Sequence, residues 1–234
     1  MVNSRAILMG LEMKMTVSGV RSGWAVVALA TAAVFANTAV SAQDQAARGD
    51  AKRGKAISYT CLGCHGIEGY KNAYPTYSVP KLEGQHPEYL VAALQEYRSG
   101  DRAHLTMHAQ ASTLSDQDIA DIAAYFAGKP LVSQGKPAGT PPQAATLCVS
   151  CHGQDGVSIA PTYPSLAGQH EDYIARALDE YRKGGRKNPI MKGFAATLKD
   201  EDVETIAKYF SHEEHPTLKT ESRPYTRFTA ENHE

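Results

Sequence analysis

Between Pro87 and Tyr97 the apolar positions Leu90, Ala93, Leu94 and Tyr97 fall three or four residues apart. That is the spacing of one face of an α-helix. Pro87 stands near the start, where its missing N–H costs nothing, and Gly100 lies just past the end. A second stripe, Ile119, Ile122, Ala123 and Phe126, predicts another helix. Ser115 can cap it, and Asp116 and Asp118 sit near its positive end. Val203, Ile206, Ala207 and Phe210 repeat this stripe later in the chain, with Asp200 as the expected cap. A further helix is expected before each of the two cysteine pairs. It should be shorter in the second case, where Pro141-Pro142 intervene. No stretch alternates apolar and polar with period two, so the predicted class is all-α.

The recurring stripes belong to an internal duplication. Gly84-Gln85-His86 returns as Gly168-Gln169-His170. Tyr89, Glu96, Tyr97, Arg98, Gly100, Arg102 and Met107 return as Tyr173, Glu180, Tyr181, Arg182, Gly184, Arg186 and Met191, all at an offset of 84. The cysteines match at 87, which places one three-residue deletion between Cys151 and Gly168. Such agreement means two homologous halves, each of small-domain size. The expected organisation is a domain over 43–130, a linker over 131–142, a second domain over 143–210 and a polar tail over 211–234.

Residues 1–42 stand apart from both halves. Basic residues including Arg21 precede an apolar run from Trp24 to Ala36, and small residues at Val40-Ser41-Ala42 follow. Basic, then apolar, then small is the order of a secretory signal peptide. The run is shorter than the roughly 20 apolar residues of a spanning helix, so cleavage is favoured over an uncleaved anchor. The whole chain of 234 residues has a formal net charge of −1. The leading segment holds Arg5, Lys14 and Arg21 against Glu12, a net +2, so the remainder carries −3. That charge gives no footprint for nucleic acid. It hides a local excess, because Arg182, Lys183, Arg186, Lys187 and Lys192 crowd the approach to Met191. Two readings stay open for them: a basic rim that steers an acidic partner, or a solvated face partly paired with Asp179 and Glu180 or with haem propionates.

The candidate chemistry lies in the only four cysteines, arranged as Cys61-Leu62-Gly63-Cys64-His65 and Cys148-Val149-Ser150-Cys151-His152. CxxCH is the attachment motif of c-type haem. Two thiols one turn apart can add to the two vinyl groups of one porphyrin, and the adjacent His then supplies an iron ligand. A dithiol redox site would expect a thioredoxin-like βαβ context, which is missing. A shared zinc would expect the two pairs roughly 15–20 residues apart. Two disulfides would leave both histidines unexplained. The motif, duplicated behind an export signal, therefore predicts two haem c groups held by Cys61, Cys64, Cys148 and Cys151.

A thioether sulfur is a standard partner to His on such an iron. Beyond the leading segment the chain has just two methionines, Met107 and Met191, one per half at matching positions. They are the candidate sixth ligands, with His65 and His152 as the fifth. His104 and His108 flank Met107 but align with Asn188 and Lys192, so surface or propionate-side roles are expected of them. His86 and His170 repeat beside glycine before a helix and are expected to be structural or capping.

The two CxxCH motifs, the paired Gly-Gln-His and Glu-Tyr-Arg segments and the Met-to-Tyr-Phe stretch together resemble the dihaem cytochrome c4 family, two class I cytochrome c domains in tandem. The resemblance spans about 48 to 210. It implies that each domain wraps one covalent haem, and that the Pro80 and Pro164 carbonyls accept from the ligating histidines. It further implies a periplasmic electron carrier, soluble or membrane-attached. Such a carrier passes electrons from a quinol-oxidising complex towards a haem–copper terminal oxidase. Two other classes remain. One is the cytochrome subunit of a flavoprotein sulfide dehydrogenase or similar sulfur-oxidising enzyme. The other is an enzyme with an open iron, such as a dihaem peroxidase, which the paired methionines disfavour. The chain departs from the family pattern in an insertion around Tyr70 to Tyr77, in the weaker helix before Cys148 and in the polar tail.

Overall fold

A computed structural model describes residues 49–137, 139–212 and 217–221. The expected signal segment lies outside the described residues. The first half contains α1 (Ala51–Ile57), α2 (Leu62–His65), α3 (Pro87–Ser99), α4 (Leu105–Ala111) and α5 (Asp116–Ala127). The second contains a 3-10 turn (Gln143–Ala145), α6 (Val149–His152), α7 (Glu171–Lys183), α8 (Pro189–Ala195) and α9 (Asp200–Phe210). Among the described residues there is no strand, only three isolated bridges. The all-α expectation holds. So does the expectation of a weaker element before the second cysteine pair, where the 3-10 turn replaces α1.

The helix ends follow from their residues. Pro87 occupies the first turn of α3, and Gly100 ends it in the left-handed conformation at φ 81°, as Gly184 ends α7 at φ 82°. A side chain with a Cβ is strained there. Ser115 caps α5 through the Asp118 N–H, and the Asp118 carboxylate reaches back to the Ser115 N–H at 3.0 Å. The start of α9 differs from expectation. Asp200 is its first residue rather than its cap; Lys199 precedes the helix, and the Asp202 carboxylate accepts from the Lys199 N–H at 3.0 Å. Asp200 instead accepts from Arg182 at 2.7 Å. The carboxylate at the third position thus satisfies the cap N–H, and the Asp202 N–H donates to the Lys199 carbonyl at 3.1 Å in place of a side-chain cap.

Each half has its own core. Leu90, Ile122, Ala123, Phe126 and Ala127 bury the facing sides of α3 and α5. Ile174, Leu178, Val203, Ile206, Ala207 and Phe210 do the same for α7 and α9. Helix α1 crosses α5 so closely that a Cβ on Gly54 would lie 1.9 Å from the Asp121 carbonyl oxygen. Only glycine permits that approach.

The two halves meet across a seam with two-fold character. Gln85 donates to the Ser165 carbonyl and accepts from the Ser165 N–H, both at 2.9 Å. Gln169 answers by donating to the Lys81 carbonyl at 2.9 Å and accepting from the Lys81 N–H at 3.0 Å. The Ala103 N–H donates to the Gly185 carbonyl at 2.7 Å, and the Lys187 N–H donates to the Asp101 carbonyl at 3.0 Å. Every bond in this set has its partner at the offset of 84. Such reciprocity is the geometry of an isologous interface, here inside one chain.

Two further segments also cross the seam. Just after the insertion, Ser78 donates to Asp172 from its N–H at 3.0 Å and from its hydroxyl at 2.9 Å. Tyr77 is buried there with the Arg176 guanidinium over its ring. Part of the polar tail packs against both halves. Leu218 is 1% exposed, its N–H donates to the Ala167 carbonyl, and Lys219 pairs with Glu83 through two backbone bonds of 3.0 Å. Residues 217–221 thus touch both halves.

Candidate functional site

Helix α2 begins at Leu62 with Cys61 ahead of it and closes on His65; α6 begins at Val149 with Cys148 ahead of it and closes on His152. One helical turn therefore carries each pair of thiols and its histidine to the same place. In the first half they open on a cleft of about 920 Å³, counting space open to solvent. Cys61, Cys64, His65 and Met107 all line it, so the structure brings together the four first-half residues singled out from the sequence. Tyr77 of the insertion and Tyr173 of the second half line it as well. In the second half Cys148 and Met191 pack on one apolar cluster beneath α7 and α9.

The histidines are held alike. His65 Nδ1 donates to the Pro80 carbonyl at 3.1 Å, and His152 Nδ1 donates to the Pro164 carbonyl at 2.8 Å. A carbonyl can only accept, so the proton sits on Nδ1 and Nε2 keeps a free lone pair. Such a partner fixes ring orientation and ligand tautomer in metal sites. Phe126 and Phe210 meet the two rings edge-on at 6.2 and 6.3 Å. Burial lowers the pKa of both histidines and keeps them neutral, as a metal-binding imidazole must be. Burial also raises the Cys61 and Cys148 thiols. A dithiol redox site would need the opposite shift. The donor set fits two thioether-bound haems: two thiols, one neutral nitrogen and one soft sulfur per half, around an apolar cleft.

Some side chains take roles different from those expected. His104 is the N-cap of α4, its Nδ1 accepting from the Met107 N–H at 3.2 Å. Its pKa is lowered, chiefly by burial, which suits an acceptor. Asn188 caps α8 in the same way, accepting from the Ile190 and Met191 N–H groups at 3.1 Å. His108 Nδ1 donates to the Tyr97 carbonyl at 2.8 Å. His86 and His170 stand at the N-caps of α3 and α7, but neither caps with its side chain. The Gln85 and Gln169 side-chain oxygens accept their N–H groups instead, each at 3.1 Å.

The repeated Tyr, Glu and Arg positions were not read from the sequence as part of an interface, and they line the seam beside the cleft. Arg102 and Arg186, each 4% exposed, face one another in a backbone bridge. Arg102 donates to Glu96 at 2.5 Å and lies over the Tyr89 and Tyr97 rings. Arg186 does the same with Glu180, Tyr173 and Tyr181. Burial pushes the Tyr89 hydroxyl up to about 12, so it stays protonated. The signal that could have located this cluster was identical polar residues kept in both halves without a part in attachment.

The basic rim of the second half is largely paired. Arg182 binds Asp179 and Asp200, Lys183 binds Asp179, Arg186 is buried with Glu180, and Lys187 reaches Asp101 across the seam. Four of the five basic residues thus have acidic partners within the protein.

The sequence profile of the cytochrome c family matches residues 51–128 and 143–213. A cytochrome c4 of Pseudomonas aeruginosa is 38% identical over 180 residues, covering 70% of this chain and 88% of that protein. The crystal structure of reduced recombinant cytochrome c4 from Pseudomonas stutzeri superposes with a TM-score of 0.57 at 35% identity, covering 70% of this chain and 98% of that one. A thiosulfate dehydrogenase electron acceptor of Stutzerimonas stutzeri is 30% identical over 170 residues, covering 65% of this chain and 78% of that protein.

Proposed function

The chain belongs to the dihaem cytochrome c4 family, and from that premise we propose a periplasmic carrier taking electrons from a quinol-oxidising complex towards a terminal oxidase. It is an electron carrier, not an enzyme, and binds two haem c groups covalently through Cys61 with Cys64 and Cys148 with Cys151. In this reading His65 and Met107 ligate one iron, and His152 and Met191 the other. Bound haem would supply a one-electron ferric–ferrous couple, and with two protein ligands held for each iron the chemistry expected is outer-sphere transfer. The Met107 and Met191 sulfurs would favour ferrous iron, and the carbonyl-anchored His65 and His152 would each hold an iron through nitrogen.

The observation that carries the reading is the repetition of one arrangement in both halves. Each histidine is anchored by a proline carbonyl, and each methionine is the third residue of a short helix with its N–H on a cap. Periplasmic residence rests on the leading segment, whose order of basic, apolar and small residues is that of an export signal. Among the described residues no helix is long and apolar enough to cross a membrane. The domain limits of 43–130 and 143–210, with a linker between, are part of the same proposal.

Met107→Ala and Met191→Ala test the ligands. Each variant should lose the methionine–iron charge-transfer band of one haem and lower that haem's potential. An unchanged spectrum and potential in either variant contradicts the assignment for that half. A second pathway is favoured by the relative named as a thiosulfate dehydrogenase electron acceptor: this chain would then accept electrons from a sulfur-oxidising enzyme. Quinol-energised membranes and thiosulfate dehydrogenase, offered separately to the oxidised protein, distinguish the two by which one reduces it.

A further inference from the structure

Helices α4 and α8, which carry the two methionines, are poorly anchored by packing. Each has seven residues and buries only one alanine, Ala111 or Ala195. Helices this short are marginal without tertiary support. The residue that opens α4, Leu105, is 89% exposed, and Ile190 at the corresponding end of α8 is exposed too. What fixes the first turn is the cap. In both helices the methionine is the third residue, and the cap side chain receives its N–H: 3.2 Å to His104 Nδ1, and 3.1 Å to Asn188 Oδ1, which also takes the Ile190 N–H.

The two caps are chemically different residues performing one geometric task. His104 is itself held, with its ring edge-on to Tyr77 and Tyr97 at 6.3 and 6.2 Å and its N–H on the Arg102 carbonyl. Tyr77 aligns with Pro161 at the offset of 84, so the second half has no ring at that position. We propose that His104 and Asn188 are positioning residues for iron ligation, each fixing the backbone of the methionine whose sulfur completes its haem. The inference rests on the ligand reading above and goes beyond it, because it assigns the strength of that ligation to residues outside the ligand set.

The test is displacement of the methionine by imidazole in the ferric holoprotein, followed through the charge-transfer band. Losing an N-cap is worth about a fivefold change in equilibrium. His104→Ala should therefore raise the apparent imidazole affinity of one haem about fivefold and leave the other unchanged. Asn188→Ala should do the same at the other haem. His104→Asn, which restores an acceptor of the kind the second half uses, should bind imidazole like the wild type. Ser115→Ala takes a cap from α5 in the same domain without touching α4, so it should leave imidazole binding unaltered. Wild-type behaviour in His104→Ala, or equal effects of His104→Ala with either His104→Asn or Ser115→Ala, overturns the positioning role. Met107→Ala separates the two failures. If it abolishes the band while His104→Ala changes nothing, only the positioning inference falls; if it leaves the band intact, the ligand reading falls and takes this inference with it.

Discussion

Gln85 and Gln169 each use both ends of one buried amide on the opposite half, and each also accepts the N–H of the histidine beside it. A buried donor or acceptor left without its partner costs about 1–3 kcal/mol. Gln85→Leu strands the Ser165 N–H and carbonyl together, so it should lower the stability of the holoprotein by about 2 kcal/mol or more in a denaturant titration. A change of a few tenths would show that the seam does not depend on this amide. At this scale attachment chemistry was readable from spacing alone, because two cysteines, a histidine and a lone methionine leave few alternatives. The Gln pair was visible as a repeat but not as an interface. Spacing along the chain says nothing about which side chain reaches the other domain.

Helices α1 and α5 show how much more an element depends on than its apolar stripe. The stripe Ile119, Ile122, Ala123 and Phe126 and the Ser115 cap were legible from the sequence, and the structure has both. The crossing with α1 was not, since it rests on Gly54 and on a polar network. Asp121 is 1% exposed. Burial alone would raise its pKa, but the Asp50 N–H at 2.6 Å, the Arg53 guanidinium and Gln117 at 2.8 Å together hold its carboxylate below the usual range. A depressed folded-state value stabilises the protein above the unfolded value, near 3.9, and that stabilisation is lost as pH falls through the folded value. The holoprotein should thus lose stability below about pH 4. Asp121→Asn should flatten that part of the profile; an identical acid limb in the variant would contradict the network's role.

On the scale of the whole molecule, the duplication predicts two similar domains, and the reciprocal bonds of the seam make them one body. The asymmetric parts decide how that body is closed. The insertion and Ser78 just after it reach Arg176 and Asp172 of the second half, and residues 217–221 return between the halves. Polar composition gave no sign that the tail packs, because one buried leucine among polar residues carries no periodicity. The backbone bonds to Ala167 and Glu83 are what recruit it. Ending the chain after His212 removes Leu218, whose burial is worth about 1.5–3 kcal/mol. The truncated holoprotein should melt at a lower temperature with its haem spectrum intact; unchanged melting would mean that the strap contributes nothing.

The central claim is that one chain carries two closed, methionine-ligated haems and only passes electrons. A potentiometric titration of the native protein, followed by its visible spectrum and repeated under carbon monoxide, tests it most directly. The account predicts two one-electron transitions per chain, a methionine–iron charge-transfer band for both haems when oxidised, and potentials that carbon monoxide leaves unmoved. A single transition per chain, or a potential that rises under carbon monoxide because one ferrous iron binds it, would contradict the account.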